Sequence, residues 1–194
     1  MAERVYTTEG IILRRRSLGE GNVVVSLLTE ELGLVEASAR SGREERSKLR
    51  FGLSVLAHGE YSLIAGNHTF KLIGASADGI FGNKGNRASV QAMGKVSALL
   101  LRLVPREEPA PILFAFLARG FACLATEANE EKMRAIEGIL VLRSLHELGY
   151  VPYSDELSPF FSAHSADPGL IEAFMPLRSK AIGAINAALS ASGL

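Results

Sequence analysis

Cysteine is nearly absent from this chain: Cys123 stands alone among 194 residues. That excludes an internal disulfide framework and a multi-thiolate zinc site, and it fits a reducing compartment. Net charge is absent as well, since 21 basic residues balance 21 acidic ones, so any nucleic-acid site has to come from local clustering. No uninterrupted apolar run approaches the roughly 18 residues needed to span a bilayer, and the first residues lack an apolar stretch behind a basic start. The expectation is a soluble, cytoplasmic protein. No phosphate-cradling G-x-x-x-x-G-K-S/T loop occurs, and Gly79 to Gly85 lacks both its spacing and its hydroxyl, so ATP hydrolysis is not expected.

Hydrophobic residues make up 47% of the chain, enough for a packed core in one large domain or two small ones. Up to about Ala77 the sequence is rich in Val, Ile, Thr and Tyr in short runs broken by glycine, the pattern of strands and tight turns. Five strands are predicted: Tyr6 to Arg16, Asn22 to Thr29, Gly33 to Ser41, Val55 to Ala65 and His68 to Ser76. Gly19 and Gly21 turn the first hairpin, and Gly66-Asn67 turns the last. In the fourth strand Tyr61 and Leu63 share one face against Glu60 and Ser62. Five strands in about 75 residues form a small barrel, for which an OB-fold and an SH3-like barrel are both solutions.

Beyond a glycine-rich linker, Gly79 to Asn86, the period becomes helical. Met93, Val96, Leu100 and Leu103 line one face of a first helix that starts near Arg87 and stops at Pro105. A second begins near Pro109 to Pro111, with Glu107 and Glu108 at its positive end, and carries Leu113, Leu117, Phe121 and Leu124. The third, Glu130 to Leu148, holds the apolar run Ile139 to Leu142 and is therefore central, with Gly149 as its cap and Pro152 after it. A short helix near Leu170 to Phe174 and a last one from Pro176 to Ala191 complete the set. The domains divide as 1–78, a barrel, and 79–194, a helical domain.

Titratable groups are scattered. A turn at Gly66 sets His68 opposite Ile64 and His58 about 20 Å away along the sheet, so the two cannot share a metal. Cys123, on a Phe-rich helix, and His146 are read as structural, and Asp155, Glu156 and Asp167 as solvated. Neither a cofactor nor a catalytic residue is expected. Basic residues, by contrast, cluster twice: Arg14, Arg15 and Arg16 end the first strand, and Arg40, Arg43, Arg46, Lys48 and Arg50 follow the third. Between positions 40 and 50 five basic residues face two acidic ones, an excess of three charges suited to phosphate binding without base readout. Arg15 points away from Arg14 and Arg16 by strand alternation. Phe51, Tyr61 and Phe70 fit either core packing or base stacking.

The order of several motifs resembles the RecO family of bacterial recombination mediators. Those motifs are Gly10-Ile11-Ile12-Leu13-Arg14, Gly19-Glu20, Leu28-Thr29 followed by Gly33, Ala39-Arg40, Ser47-Lys48-Leu49, Leu145 to Pro152 with its Leu-Gly-Tyr-x-Pro ending, and Leu177-Arg178-Ser179-Lys180. The resemblance implies an amino-terminal five-stranded OB-fold β-barrel followed by an all-α domain. It also implies a non-enzymatic role in DNA repair: binding single-stranded DNA, annealing strands and, with RecR, helping load RecA onto DNA coated by single-stranded DNA-binding protein. Arg14, Arg16, Arg40, Arg43, Arg46, Lys48 and Arg50 are then the DNA-binding residues. Arg119, Lys132, Arg134 and Arg143 rim a groove for the acidic, apolar tail of single-stranded DNA-binding protein. The sequence departs from the family at Glu44 and Glu45, at Val55-Leu56, and between Tyr153 and Gly169, where relatives carry a four-cysteine zinc element and this chain has no cysteine. No zinc is expected, and the helical domain reads as shortened. The rival reading is a protein-interaction adaptor whose barrel has lost useful DNA affinity.

Overall fold

Alternating apolar residues build the amino-terminal half as five strands: β1 (Val5–Leu18), β2 (Asn22–Thr29), β3 (Gly33–Ala39), β4 (Ala57–Ile64) and β5 (Phe70–Ile80). The structure is a computed structural model that describes residues 4–19, 21–40, 51–66 and 69–193. The strands close in the order β1-β2-β3-β5-β4, antiparallel except where Ala37 and Ser38 of β3 meet Phe70 and Lys71 of β5 in parallel. That connectivity is the OB-fold rather than the SH3-like alternative. Inward residues of every strand, among them Ile12, Val25, Leu27, Val35, Leu63 and Leu72, fill the barrel. Tyr61 is inside with them, its hydroxyl donating to the Gly52 carbonyl at 2.9 Å, which removes the cost of an unpaired buried phenol.

β1 contains a bulge. Ile12 faces Leu27, but the next paired residue, Arg14, faces Ser26, so Leu13 is an extra residue in the ladder. Ile11, Ile12 and Leu13 are consequently all buried. Expected strand ends and one pairing need correction. Val55 lies in a turn before β4 rather than in the strand, and Ile64 pairs with Lys71 rather than His68. β5 also runs to Ile80, so Gly79 belongs to the sheet and not to the linker, with a short helix, α1 (Phe81–Lys84), directly after it. The expected Gly66-Asn67 turn involves Asn67 and His68, which lie outside the described residues.

The chain divides into two compact units, residues 1–84 with 104–114, and residues 85–103 with 115–194. In the first, the chain returns to the barrel after the first long helix. Leu34 of β3 bridges Arg106 in parallel, and the Glu107 N–H donates to the Leu34 carbonyl at 3.1 Å. Gly33 permits this approach. Its φ is +70°, and a Cβ there would lie 2.0 Å from the Glu108 carbonyl oxygen.

The helices are α2 (Arg87–Leu103), α3 (Pro111–Thr126), α4 (Glu130–Glu147), α5 (Ser158–Ser162) and α6 (Pro168–Ala191). Met93, Val96 and Leu100 on α2, and Leu117, Phe121 and Leu124 on α3, are fully buried, as their spacing predicts. α4 packs against α2, α5 and α6, the central position foreseen from its apolar run. Asn129 caps it, accepting from the N–H groups of Glu131 and Lys132, and Gly149 follows it at φ +79°. The two expected carboxy-terminal helices are one: α6 starts at the Asp167 cap and runs through Pro176. A proline inside a helix costs about 3 kcal/mol. Burial of Ile171 and Phe174 before it and Ile185 after it, at roughly 1.5–3 kcal/mol per side chain, outweighs that and keeps the axis continuous.

Candidate nucleic-acid interface

The bulge in β1 sets the site. Without it Arg14 would oppose Val25, whose side chain is in the barrel core; with it Arg14 opposes Ser26 and Arg16 opposes Val24, both on the outer face of β2. Ser26 in turn faces Glu36 of β3, so Arg14, Ser26 and Glu36 form one row across three strands, with a small residue in the middle. The long arginine side chains reach over that gap. Arg16 Nη2 lies 3.2 Å from Glu36 Oε2, and Arg14 Nη2 lies 3.9 Å from Oε1.

A third guanidinium arrives from outside the barrel strands. Arg106, carried to β3 by the Leu34 bridge, places Nη2 at 3.5 Å from Glu36 Oε1. The arginine side chains are 49–66% exposed and the Glu36 side chain 16%, so one largely covered carboxylate sits among three solvent-facing cations. Each guanidinium has five N–H donors, and one carboxylate cannot occupy them all. The local balance of these four groups is +2, open to an anion from solvent. Sequence reasoning missed Arg106 because Pro105 and Pro109 bracket it in a segment read as a helix approach. Its only local signal is that the two prolines favour an extended chain.

Arg40 falls at the same end of the sheet as Arg16. Val23 of β2 pairs with both Ser17 and Ala39, and Arg40, exposed, follows Ala39 directly. Arg43, Arg46, Lys48 and Arg50 lie outside the described residues. Arg15 is exposed beside Arg14 and Arg16. Of the three aromatics, Tyr61 is core, Phe70 is half-buried edge-on to Tyr6 with ring centroids 6.1 Å apart, and Phe51 is 53% exposed where the described chain resumes. Burial, then the charge of Asp78, raises the Tyr61 phenol above its ordinary range.

In the helical unit, α2, α4 and α6 enclose a groove of about 300 Å³. Its floor is apolar, formed by Val141, Phe174, Ile182 and Ile185, and its rim carries Lys95, Arg134 and Arg178 with a single acid, Glu137. Lys95 donates to Glu137 at 3.1 Å. Of the four basic residues expected at a partner groove, Arg134 lines this one. Lys132 is exposed in the first turn of α4, and Arg119 donates to the His164 carbonyl at 3.1 Å. Arg143 is buried, paired with Glu147 at 2.7 Å and 5.7 Å above the Phe116 ring. Lys95 and Arg178 were not foreseen at the groove, since neither stands in a basic cluster.

The residues read as structural have defined partners. His146 stacks on Phe161 at 3.8 Å with Nδ1 2.9 Å from the Val151 carbonyl, and partial burial with the charges of Asp167 and Glu127 pushes the Cys123 thiol up. Among the described residues no group of three or more His, Cys, Asp or Glu stands close enough to hold a metal ion, and no helix is long and apolar enough to cross a membrane.

Residues 1–77 match the family model described as Recombination protein O N terminal. The DNA repair protein RecO of Dehalococcoides mccartyi (strain CBDB1) is 33% identical over 113 residues, 58% of this chain and 45% of that protein. The proteins of the same name from Heliobacterium modesticaldum and Thermobifida fusca are 29% and 28% identical over 150 and 174 residues, covering 77% and 85% of this chain and 53% and 66% of theirs. The chain thus spans about half the length of the curated relatives it matches. With an OB-fold barrel over the matched residues and helices after it, the chain belongs to the RecO family.

Proposed function

We propose that this protein acts in DNA repair as a non-enzymatic recombination mediator, capturing single-stranded DNA on the outer face of β1–β3 and docking protein partners on its helices. The observation that carries the reading is the convergence of Arg14, Arg16 and Arg106 on one exposed patch, next to the end of the sheet where Arg40 leads into the second basic segment. Such a patch engages phosphates without reading bases, the mode suited to annealing complementary strands of any sequence. Of Phe51, Tyr61 and Phe70, Phe51 is the exposed one and is available for stacking. Arg43, Arg46, Lys48 and Arg50, which follow Arg40 in sequence, are further candidates for phosphate contact in this reading.

The groove between α2, α4 and α6 supports the partner half of the proposal. An apolar floor with three cations at its rim is complementary to an acidic peptide ending in apolar residues, the chemistry of the tail of single-stranded DNA-binding protein. Arg119 and Lys132 join Arg134 as partner residues only if docking extends beyond that groove, whereas Arg143, buried and paired with Glu147, is not open to a partner. Cooperation with RecR in loading RecA is the task this arrangement would serve.

The test is fluorescence anisotropy of a labelled single-stranded oligonucleotide at several salt concentrations, comparing the wild type with Arg14→Ala/Arg16→Ala/Arg106→Ala. Three lost phosphate contacts lower the magnitude of the log–log salt slope by about 2, at roughly 0.7 per contact on a single strand. An unchanged slope and affinity would remove DNA from this face. The adaptor reading, favoured by the zero net charge and by the carboxylate among the arginines, is supported instead if the wild type fails to bind at low salt while an acidic, apolar-ended peptide binds and Arg134→Ala/Arg178→Ala abolishes that binding.

A further inference from the structure

Glu36 occupies a position that favours an anion, between Arg14, Arg16 and Arg106. Two opposite roles are open to such a residue: it can organise the cations for a phosphate, or it can stand in for the phosphate and compete with it. The structure supplies the arginines with other supports. Arg14 and Arg16 are aimed by strand alternation after the bulge, and Arg106 is carried in by the Leu34 bridge and the Glu107 N–H bond, all backbone features independent of the Glu36 side chain. The contacts to Glu36 are single-pronged, at 3.2–3.9 Å, from guanidinium groups about half exposed, a class of ion pair with little organising energy to lose. Its negative charge, by contrast, acts on any incoming phosphate whatever the side-chain geometry.

We infer that Glu36 is a built-in competitor for the nucleic-acid phosphate, lowering the affinity of the arginine patch for single strands. The inference rests on the reading that this patch binds DNA. With Glu36 in place the four groups sum to +2; without its charge they sum to +3 around the same point. A strand bound there therefore has to displace a carboxylate that refills the seat when the strand leaves. Weak, readily reversed capture suits a protein whose bound strand has to be handed on.

The experiment compares the wild-type chain, Glu36→Gln, Arg14→Ala/Arg16→Ala and Glu36→Gln/Arg106→Ala, using a fluorescein-labelled oligothymidylate as the probe, with thermal melts to check folding. Glutamine keeps the shape and the acceptor oxygen while removing the charge. Glu36→Gln is expected to bind about threefold more tightly at low salt, what one like charge a few ångströms from a phosphate amounts to in a water-dominated dielectric. The gain is expected to fade as salt rises and to shrink when Arg106 is also removed. If Arg14→Ala/Arg16→Ala weakens binding but Glu36→Gln leaves it unchanged or weakens it too, the inference is overturned while the DNA reading survives, and weakening would make Glu36 an organiser. If neither alters binding, both fall together.

Discussion

Replacing Gly33 by alanine tests the link between the return segment and the barrel. Gly33 sits at φ +70°, where an L-residue pays roughly 1–2 kcal/mol in backbone strain. A Cβ there would also stand 2.0 Å from the Glu108 carbonyl oxygen and 2.6 Å from its carbon, both backbone atoms that cannot rotate aside. The segment carrying Glu108 has to move away from β3. That breaks the Glu107 N–H bond to the Leu34 carbonyl, another ~1 kcal/mol. Gly19 is the internal control: its φ is +59° and nothing lies within 4 Å of its missing Cβ, so Gly19→Ala carries the backbone strain alone. Both substitutions narrow the unfolded chain equally, and that contribution cancels in the comparison. At about 2–4 °C per kcal/mol for a chain of this size, calorimetry should place Gly33→Ala about 4–12 °C below wild type, and clearly below Gly19→Ala. Because the displaced segment takes Arg106 with it, adding Arg106→Ala to Gly33→Ala should produce no further loss of oligonucleotide affinity. Equal melting temperatures for the two alanine variants, or full additivity with Arg106→Ala, would refute the reasoning.

Two further substitutions probe the barrel core and the long helix. Tyr61→Phe removes a buried hydroxyl and leaves the Gly52 carbonyl without its donor, for an expected loss of about 1–2 kcal/mol by denaturant titration at neutral pH. Because the folded state raises the Tyr61 phenol, its contribution is complete below the ordinary tyrosine range near pH 10 and disappears as pH rises above it; Tyr61→Phe should flatten that alkaline loss of stability. Pro176→Ala restores an N–H inside α6 at an exposed position, so the melting temperature should rise by several degrees, the helical gain exceeding the ~1 kcal/mol advantage that proline confers through the unfolded chain.

How much of this molecule was legible beforehand depends on whether a feature is local. Strand alternation in Tyr61 and Leu63, the helical faces of α2 and α3, and the central α4 all follow from periodicity within one element, and each is found where its spacing sets it. Glycine and proline misled where tertiary burial overrides local preference. Gly79 reads as a linker but closes a ladder opposite His58, and Pro176 reads as a helix end but is spanned by a continuous buried face.

The candidate site divides along the same line. That Arg14 and Arg16 form a basic cluster is plain from adjacency, yet adjacency cannot say which side of the sheet they occupy. The answer turns on one extra residue. Counting strictly by twos from Ile12, which is in the core, Arg14 and Arg16 would point inward, an arrangement that the barrel's apolar interior forbids energetically. The conflict itself implies a bulge between Ile12 and Arg14, and the observed register shift lies there. Once the structure places Ile12 in the core, the inward-phased arginines account for the bulge; from sequence only the basic cluster was legible. The convergence on Glu36 was not, because it needs the register of three strands at once and a segment that returns from about seventy residues further along the chain. Two of the three cations of this site are written locally, whereas Arg106 and the carboxylate join them only through the fold.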